Sequence, residues 1–162
     1  MRHAKSSWEH DSLADFDRPL NDRGKKDAPR MGKRLKEKDI HPDLMISSPA
    51  ARALSTCQRI ADVLGYKTDL IRTDGKLYHA GEQEILHVVR GVSDKHDVVM
   101  IFGHNPGLTD FVNMMNEEKE VTGNVPTCGV AAFEIPVDSW ADVGFETGKL
   151  VFYDYPKSRS DS

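Results

Sequence analysis

Apolar residues along this chain alternate between short continuous runs and repeats with the spacing of a helix. The runs at 44–46 and 98–102 predict buried strands, because a strand that is covered on both faces has no polar side. Residues three or four apart predict amphipathic helices after these strands, at 28–35, 53–64, 85–89 and 108–115. Strands that alternate with helices are typical of an α/β domain, and a three-layer α/β/α arrangement is predicted.

Local signals place the ends of two helices. Asn21 or Asp22 is predicted as the N-cap of the first helix, and Pro29 inside that pattern predicts a late start or a kink. Ser48 and Pro49 predict the opening of the second helix, with a capping hydroxyl followed by proline at the first helical position.

The remaining segments are predicted from their composition. Residues 8–20 are acidic and irregular and predict a loop, while 67–71 predict a further strand. Two late apolar segments, 130–135 and 149–155, predict an antiparallel addition to the sheet. We expect one domain over 1–156 and a disordered tail over 157–162.

Charge and composition exclude several classes of protein. The 162 residues carry a net charge of −4, whereas a nucleic-acid binder usually has a basic excess. The basic residues within 33–38 are interpreted as the solvated face of a helix. No apolar run approaches the ~18 residues of a membrane span, so no membrane partner is expected. The two cysteines have no metal-type spacing, which favours free thiols in a cytoplasmic protein.

Three short motifs carry the candidate chemistry. Arg2 and His3 pair a guanidinium, which can bind phosphate oxygens bidentately, with an imidazole that can attack phosphorus. Arg52 follows the first predicted strand, and His104 follows the strand at 98–102. Because ligands bind at the carboxyl ends of strands in open α/β sheets, these residues predict one positive pocket for a phosphoryl group.

Each residue alone has a plainer interpretation. A single histidine in a turn more often bonds to the backbone, and a single arginine on a helix is more often a surface charge. The other five histidines show no pairing that indicates metal ligation. A metallophosphatase requires clustered Asp and His ligands, so we expect no metal and no cofactor.

The chain resembles the histidine phosphatase superfamily, and within it the small SixA-type phosphohistidine phosphatases. The motifs that carry the resemblance span nearly the whole chain in order, at 2–8, 17–24, 47–53, 77–80 and 103–106. The resemblance implies an α/β/α sandwich around a mixed, mostly parallel sheet. It further implies that His3 is the phosphorylated nucleophile, and that a phosphate pocket is formed by Arg2, Arg18, Arg52 and His104.

Two features depart from the family pattern. Family members reach the Arg-His pair through a core strand, whereas only Met1 precedes it here, which predicts a truncated start and a frayed terminus around His3. Larger family branches also carry a carboxylic general acid near residues 77–84. Glu82 and Glu84 lie there, but their spacing is more typical of an exposed helix face.

The resemblance implies a metal-independent phosphatase. A missing general acid favours phosphoramidates over alkyl phosphomonoesters such as sugar phosphates, because a phosphorylated imidazole can leave as a neutral ring once solvent protonates it. We therefore expect a monomer that removes phosphate from a histidine-phosphorylated protein or peptide of a signalling relay. Two alternatives stay open at this point. One is a small-molecule phosphomonoesterase on the same fold, and the other is a phosphate-binding module without turnover.

Overall fold

A computed structural model describes residues 1–9, 11–118 and 120–159. Four helices and five strands make up its regular structure in the described part of the chain. The helices are α1 (Asp22–Glu37), α2 (Ala51–Leu64), α3 (Glu82–Arg90) and α4 (Gly107–Met115). The strands are β1 (Leu44–Ser47), β2 (Arg72–Thr73), β3 (Val99–Phe102), β4 (Val130–Glu134) and β5 (Lys149–Asp154).

The strands form two sheets. Strands β2, β1 and β3 lie side by side in that order and are all parallel, while β4 and β5 form an antiparallel pair. Between the two sheets lies the N-terminal segment, residues 1–3. Arg2 pairs with Gly103 in a parallel bridge, and its backbone N–H donates to Gly129 O at 2.9 Å. This segment therefore connects the end of β3 with the start of β4.

Apolar side chains fill both sides of the parallel sheet. Met31 and Leu35 of α1 and Ile60 of α2 pack with Met45 and Phe102 on one side. The other side packs against α3 and α4, through the residues Leu44, Ile46, Ile85, Val88 and Leu108. Helices cover both faces of a mostly parallel sheet, so the predicted α/β class is confirmed.

The N-terminus is buried rather than frayed. Met1 is only 7% exposed, and its amino group donates to Ile101 O at 2.7 Å. His3 N donates to Gly103 O at 3.1 Å, and His3 O accepts from Cys128 N at 2.9 Å. The expected frayed terminus is wrong, because backbone hydrogen bonds on both sides hold this short segment in place.

Three predictions about element ends need correction. Residues 68–70 form a 3₁₀ turn instead of part of a strand, and the strand is the shorter β2. Helix α1 begins at Asp22 with Asn21 as its cap and includes Pro29, so the predicted late start is wrong. Helix α2 begins at Ala51 rather than at Pro49, and its capping residue is Ala50.

The C-terminal segment is tied to α1 by a buried arginine. Arg34 is 1% exposed, so the basic residues of α1 are not all on a solvated face as expected. Its guanidinium donates to Tyr155 O and Pro156 O, each at 2.9 Å. The first residues of the predicted tail take part in a short turn, Pro156–Ser158, and 160–162 lie outside the described residues.

Replacing Arg34 by leucine should lower the free energy of unfolding by about 2–4 kcal/mol, because several carbonyl oxygens would lose their donor. Urea denaturation followed by far-UV circular dichroism measures the change. Lys33→Leu is the matched control, since Lys33 is its exposed neighbour on α1. That variant should change the free energy by no more than about 0.5 kcal/mol. Equal effects from the two variants would contradict the role assigned to Arg34.

Candidate active site

His3 lies at the carboxyl end of the parallel sheet with a defined ring orientation. Its Nδ1 is 2.7 Å from Ala4 O, which can only accept, so Nδ1 carries the proton and Nε2 keeps its lone pair. Burial lowers the pKa of His3 to about 4, against the opposing hydrogen bond to Ala4 O, and the charges of nearby arginines lower it further. The ring is therefore neutral at pH 7.

His104 lies beside His3 in the turn between β3 and α4. The two ring centroids are 5.2 Å apart. Ser48 Oγ, at 2.8 Å from Nε2 of His104, also accepts from Ala50 N, so its own proton can go to that nitrogen. Burial, followed by the neighbouring His3, lowers the pKa of His104 to about 3. Nδ1 of His104 is buried without a hydrogen-bond partner among the described residues.

Arg2 and Arg52 bring positive charge to the two histidines. Burial lowers the pKa of Arg2, and the charge of Arg52 contributes to the same shift. Arg2 donates through one terminal nitrogen to Val125 O at 3.0 Å, while its buried Nε has no partner among the described residues. Arg52, on the first turn of α2, is 7% exposed. A buried donor without a partner is uncommon, and here it lies in a cationic cluster that favours an anion.

Arg18 enters the site from the loop at 8–20. Its Nε donates to Ser7 O at 3.1 Å, and its NH2 group donates to Ser6 Oγ. The guanidinium stacks on Trp8, with its central carbon 3.3 Å from the ring centroid. These contacts fix the plane of the guanidinium, and the described residues of the loop include a 3₁₀ turn at Asp15–Asp17.

Asp15 joins two of these cations and was not singled out from the sequence. Its carboxylate accepts from Arg18 at 2.9 Å, from Arg52 at 3.0 Å and from Tyr78 Oη at 2.8 Å. Arg52 also donates to the backbone oxygen of Asp15 at 2.7 Å. The hydrogen bond from Tyr78, followed by those from the arginines, holds the pKa of Asp15 well below its usual range.

The structure brings the predicted site residues into one cluster. His3, His104 and Arg52 interact with one another electrostatically, and Arg18 is linked to Arg52 through Asp15. Ser48 was predicted as the helix cap, but the cap is Ala50, and the Ser48 hydroxyl accepts from Ala50 N and also contacts His104. The sequence signal for Asp15 was its position three residues before Arg18 in an acidic loop, which alone does not distinguish it from other acidic residues there.

The two glutamates considered as a general acid lie on the first turn of α3. Glu84 is exposed and Glu82 is half-buried. The carboxylate in contact with the site arginines is that of Asp15. For metal binding, residues 1–9, 11–118 and 120–159 contain no group of three or more His, Cys, Asp or Glu side chains that could hold an ion. Among the helices of these same segments, none is long and apolar enough to span a membrane.

Comparison of the sequence identifies its relatives. A model of the histidine phosphatase superfamily (branch 1) matches residues 1–78. An uncharacterized protein of Mycobacterium tuberculosis is 27% identical over 165 residues, which is 97% of this chain and 100% of that protein. A chloroplastic, uncharacterized protein of Arabidopsis thaliana is 27% identical over 150 residues, covering 88% of this chain and 67% of its own length.

Solved structures extend the likeness beyond the matched residues. The Agrobacterium tumefaciens protein assigned as phosphohistidine phosphatase SixA is 26% identical, with a TM-score of 0.79 over 96% of this chain and 94% of that one. A SixA structure in complex with tungstate shares the fold at 17% identity, with a TM-score of 0.81 over 97% and 95% of the two chains. The family model thus matches the first half of the chain, and the SixA fold extends over nearly all of it, so the chain is similar to the histidine phosphatase superfamily in sequence and to SixA in fold.

Proposed function

We propose that this phosphatase hydrolyses phosphohistidine in a protein or peptide, without a metal, through a covalent phosphate on His3. The observation that carries the proposal is the state of His3. The ring is neutral, its Nδ1 proton is held by Ala4 O, and its free nitrogen lies in a cluster of cations. A neutral imidazole with a fixed ring is a nucleophile that needs no base to activate it.

The reaction then has two displacements at phosphorus. Nε2 of His3 attacks the phosphoryl group in line, the substrate P–N bond breaks, and its electron pair goes to the departing imidazole, which takes a proton from solvent. Water then attacks the phosphate on His3, so that the new P–N bond breaks, inorganic phosphate leaves and His3 is restored. Both transition states place negative charge on the equatorial oxygens, which positioned donors stabilise.

The donors for these oxygens are N–H groups of the site arginines and of His104. Arg2 offers its Nε, and His104 offers Nδ1 in the tautomer in which the Ser48 hydroxyl donates to Nε2. Arg18 and Arg52 each have five N–H groups, and Asp15 takes only part of each set, so both can also donate to phosphate. Tungstate in a structure of the same fold is a phosphate-like anion, which supports an anion site here.

The state of Asp15 bears on the choice of substrate. A general acid must hold a proton at the working pH, but the hydrogen bonds to Asp15 keep its carboxylate ionised. An alkoxide leaving group needs that proton, whereas a phosphorylated imidazole can take one from solvent. A site without a protonated carboxylic acid therefore favours a phosphoramidate over an alkyl phosphate ester.

Surface aromatic residues beside the site fit a macromolecular substrate. Trp8 is 77% exposed and stacks on Arg18, while the ring of Tyr78 packs on His79 with centroids 3.9 Å apart. A protein surface that carries the phosphorylated histidine could contact such residues, because exposed aromatic groups bury large areas when they bind. We further propose that the enzyme acts in a reducing cytoplasm, in keeping with its two free cysteines.

Loss of the nucleophile should abolish turnover. His3→Ala is expected to lower phosphate release from a phosphohistidine peptide by at least about 10³-fold, with EDTA present throughout. Rapid denaturation at alkaline pH, at which a phosphoramidate survives, should trap phosphate on the unsubstituted chain. His41→Ala is the control, because His41 is an exposed histidine paired with Asp39.

Three results would contradict the proposed reaction. Sensitivity to EDTA would indicate a metal, and faster cleavage of p-nitrophenyl phosphate than of the peptide would indicate a phosphomonoesterase. Reversible binding of inorganic phosphate with no release from either substrate would indicate a binding module.

Asp15→Asn tests the absence of a general acid. We expect kcat for phenyl phosphate, whose leaving group needs a proton far more than p-nitrophenolate does, to stay within about threefold, because the ionised Asp15 has no proton to donate. KM shifts modestly as the arginines adjust. Asp17→Asn, in the same 3₁₀ turn and exposed, is the matched control. If Asp15 were the acid, the same assay would show a loss of about 10²–10⁴-fold in kcat for the ester.

The acidic limb of activity should follow the pKa of His3. A pKa of about 4, below the ordinary 6.5, means that the nucleophile stays neutral until the pH falls through about 4. In the unfolded chain this histidine binds a proton once the pH falls below about 6.5. Between pH 6.5 and about 4 the unfolded chain therefore holds more protons than the folded one, and the free energy of unfolding decreases as the pH falls. The profile of kcat/KM for p-nitrophenyl phosphate, recorded where circular dichroism shows a folded protein, should fall near pH 4. An inflection near 6.5 would contradict the neutral state assigned to His3.

A further inference from the structure

The outer face of α1 is strongly basic. The helix contains seven basic and three acidic residues, although the whole chain has a net charge of −4. Arg34 is buried with the apolar residues, and the other six cations lie together on the solvent-facing half of the helix. We call this surface the basic face; it consists of Arg23, Lys25, Lys26, Arg30, Lys33 and Lys36. At a rise of about 1.5 Å per residue, it extends over about 20 Å.

Little of this charge is neutralised within the chain. Both carboxylate oxygens of Asp27, which is 4% exposed, pair with arginines of the basic face: Oδ2 lies 3.4 Å from Arg23, and Oδ1 lies 3.5 Å from Arg30. One carboxylate therefore restrains two long side chains but offsets only one of their two charges. Among the described residues, no carboxylate lies within ion-pair distance of the four lysines. Side chains that are already restrained lose less entropy when they bind a partner.

The basic face begins beside the segment that carries His3. Asn21 N donates to Lys5 O at 3.0 Å. Gly24, in the first turn of α1, lies so close to this segment that a Cβ atom there would be 2.2 Å from Lys5 O. Lys5 is itself exposed and is only two residues from His3, so the first turn of α1 packs directly beside the site. From there the helix runs away from the site toward the amino end of β1.

This position favours an acidic protein as the partner. A protein whose phosphorylated histidine enters the site places its neighbouring residues near the start of α1, and carboxylates among them would be attracted along the basic face. Exposed carboxylates of the loop at 8–20, namely Glu9, Asp11 and Asp17, would repel the same residues, so only a segment that follows α1 is attracted. The excess of acidic residues in the whole chain disfavours nucleic acid.

We propose that the basic face of α1 binds an acidic segment of the histidine-phosphorylated protein, next to the phosphorylated residue. This inference rests on the function proposed above and adds a criterion for the substrate, namely carboxylates close to the phosphohistidine. The interaction acts mainly on the rate of encounter, because opposite charges steer association at low salt and are screened at high salt.

Two peptides serve as probes for the full chain. Each carries one phosphohistidine, a Gly-Ser spacer and a segment of about 20 Å when extended, which is Glu-Ala-Glu-Glu-Ala-Glu in one and Gln-Ala-Gln-Gln-Ala-Gln in the other. Both are made with the segment before and after the phosphohistidine. At low ionic strength, kcat/KM for the acidic peptide should exceed that for the neutral one at least about tenfold in one of the two orders. In about 0.5 M sodium chloride the two values should agree within about threefold.

A double charge reversal tests the basic face itself. Lys26→Glu/Lys33→Glu should bring kcat/KM for the two peptides within about threefold of each other at low salt. Lys67→Glu/Lys95→Glu makes the same change in net charge and should keep the preference, because these exposed lysines precede β2 and β3 at the opposite end of the sheet. Both variants should hydrolyse the phosphoramidate anion, which has no flanking residues, at the rate of the unsubstituted chain. Circular dichroism shows whether each variant is folded.

The failure of this inference is distinguishable from the failure of the proposed function. Equal hydrolysis of the acidic and neutral peptides, or equal loss of the preference in both double variants, overturns the inference while phosphohistidine hydrolysis stands. If neither peptide is hydrolysed, the proposed function fails and the inference fails with it. Tighter binding of single-stranded DNA, or of phosphatidylserine vesicles, than of the acidic peptide, lost in Lys26→Glu/Lys33→Glu, would assign the basic face to nucleic acid or to a membrane and overturn the inference equally.

Discussion

The backbone of residues 1–3 connects the two sheets, and the position of His3 depends on it. His3 N donates to Gly103 O on one side, and His3 O accepts from Cys128 N on the other. Both partners are backbone groups of buried residues, so the residue is held by groups that cannot be changed by side-chain substitution. A nucleophile that must attack phosphorus in line benefits from this fixed position, because a small displacement of its nitrogen would lower the rate of attack.

Concentrated positive charge is the second constraint on the site. Without counter-charge, several cations beside two imidazoles would repel one another, and burial would add to their cost. Two features reduce this repulsion. The carboxylate of Asp15 pairs with Arg18 and Arg52, and both histidines are neutral rather than protonated. The loop that carries Asp15 is thereby bound to the sheet edge through the same guanidinium groups that a phosphate would use.

Much of the fold could be predicted from the sequence, since apolar runs and helical repeats report burial directly. The runs that became β1 and β3 and the cap at Asn21 are examples of local signals that match the structure. The turn at residues 68–70 was missed because the segment 67–71 has only two apolar residues, at 70 and 71, and so short a pattern does not distinguish a strand from an irregular segment. Arg34 was misjudged because its partners are backbone oxygens more than a hundred residues away.

In the candidate site, too, features with local sequence signals could be predicted and features that depend on distant contacts could not. The motifs around Arg2, Arg52 and His104 are local in sequence, and the parallel sheet brings their strand ends together. The contacts of Asp15 and Ser48 could not be predicted, because each depends on how a loop or turn folds against residues distant in the chain.

The two cysteines give this architecture a chemical consequence. Cys57 and Cys128 are fully buried in the cluster that contains Met1, and burial raises the pKa of Cys57 to about 12 and raises that of Cys128 as well. Neither thiol is ionised or accessible in the folded protein, so a thiol reagent reacts only with molecules in which this cluster has opened. The rate of alkylation, measured by mass spectrometry without a substrate, therefore reports how often the cluster beneath the segment that carries His3 opens.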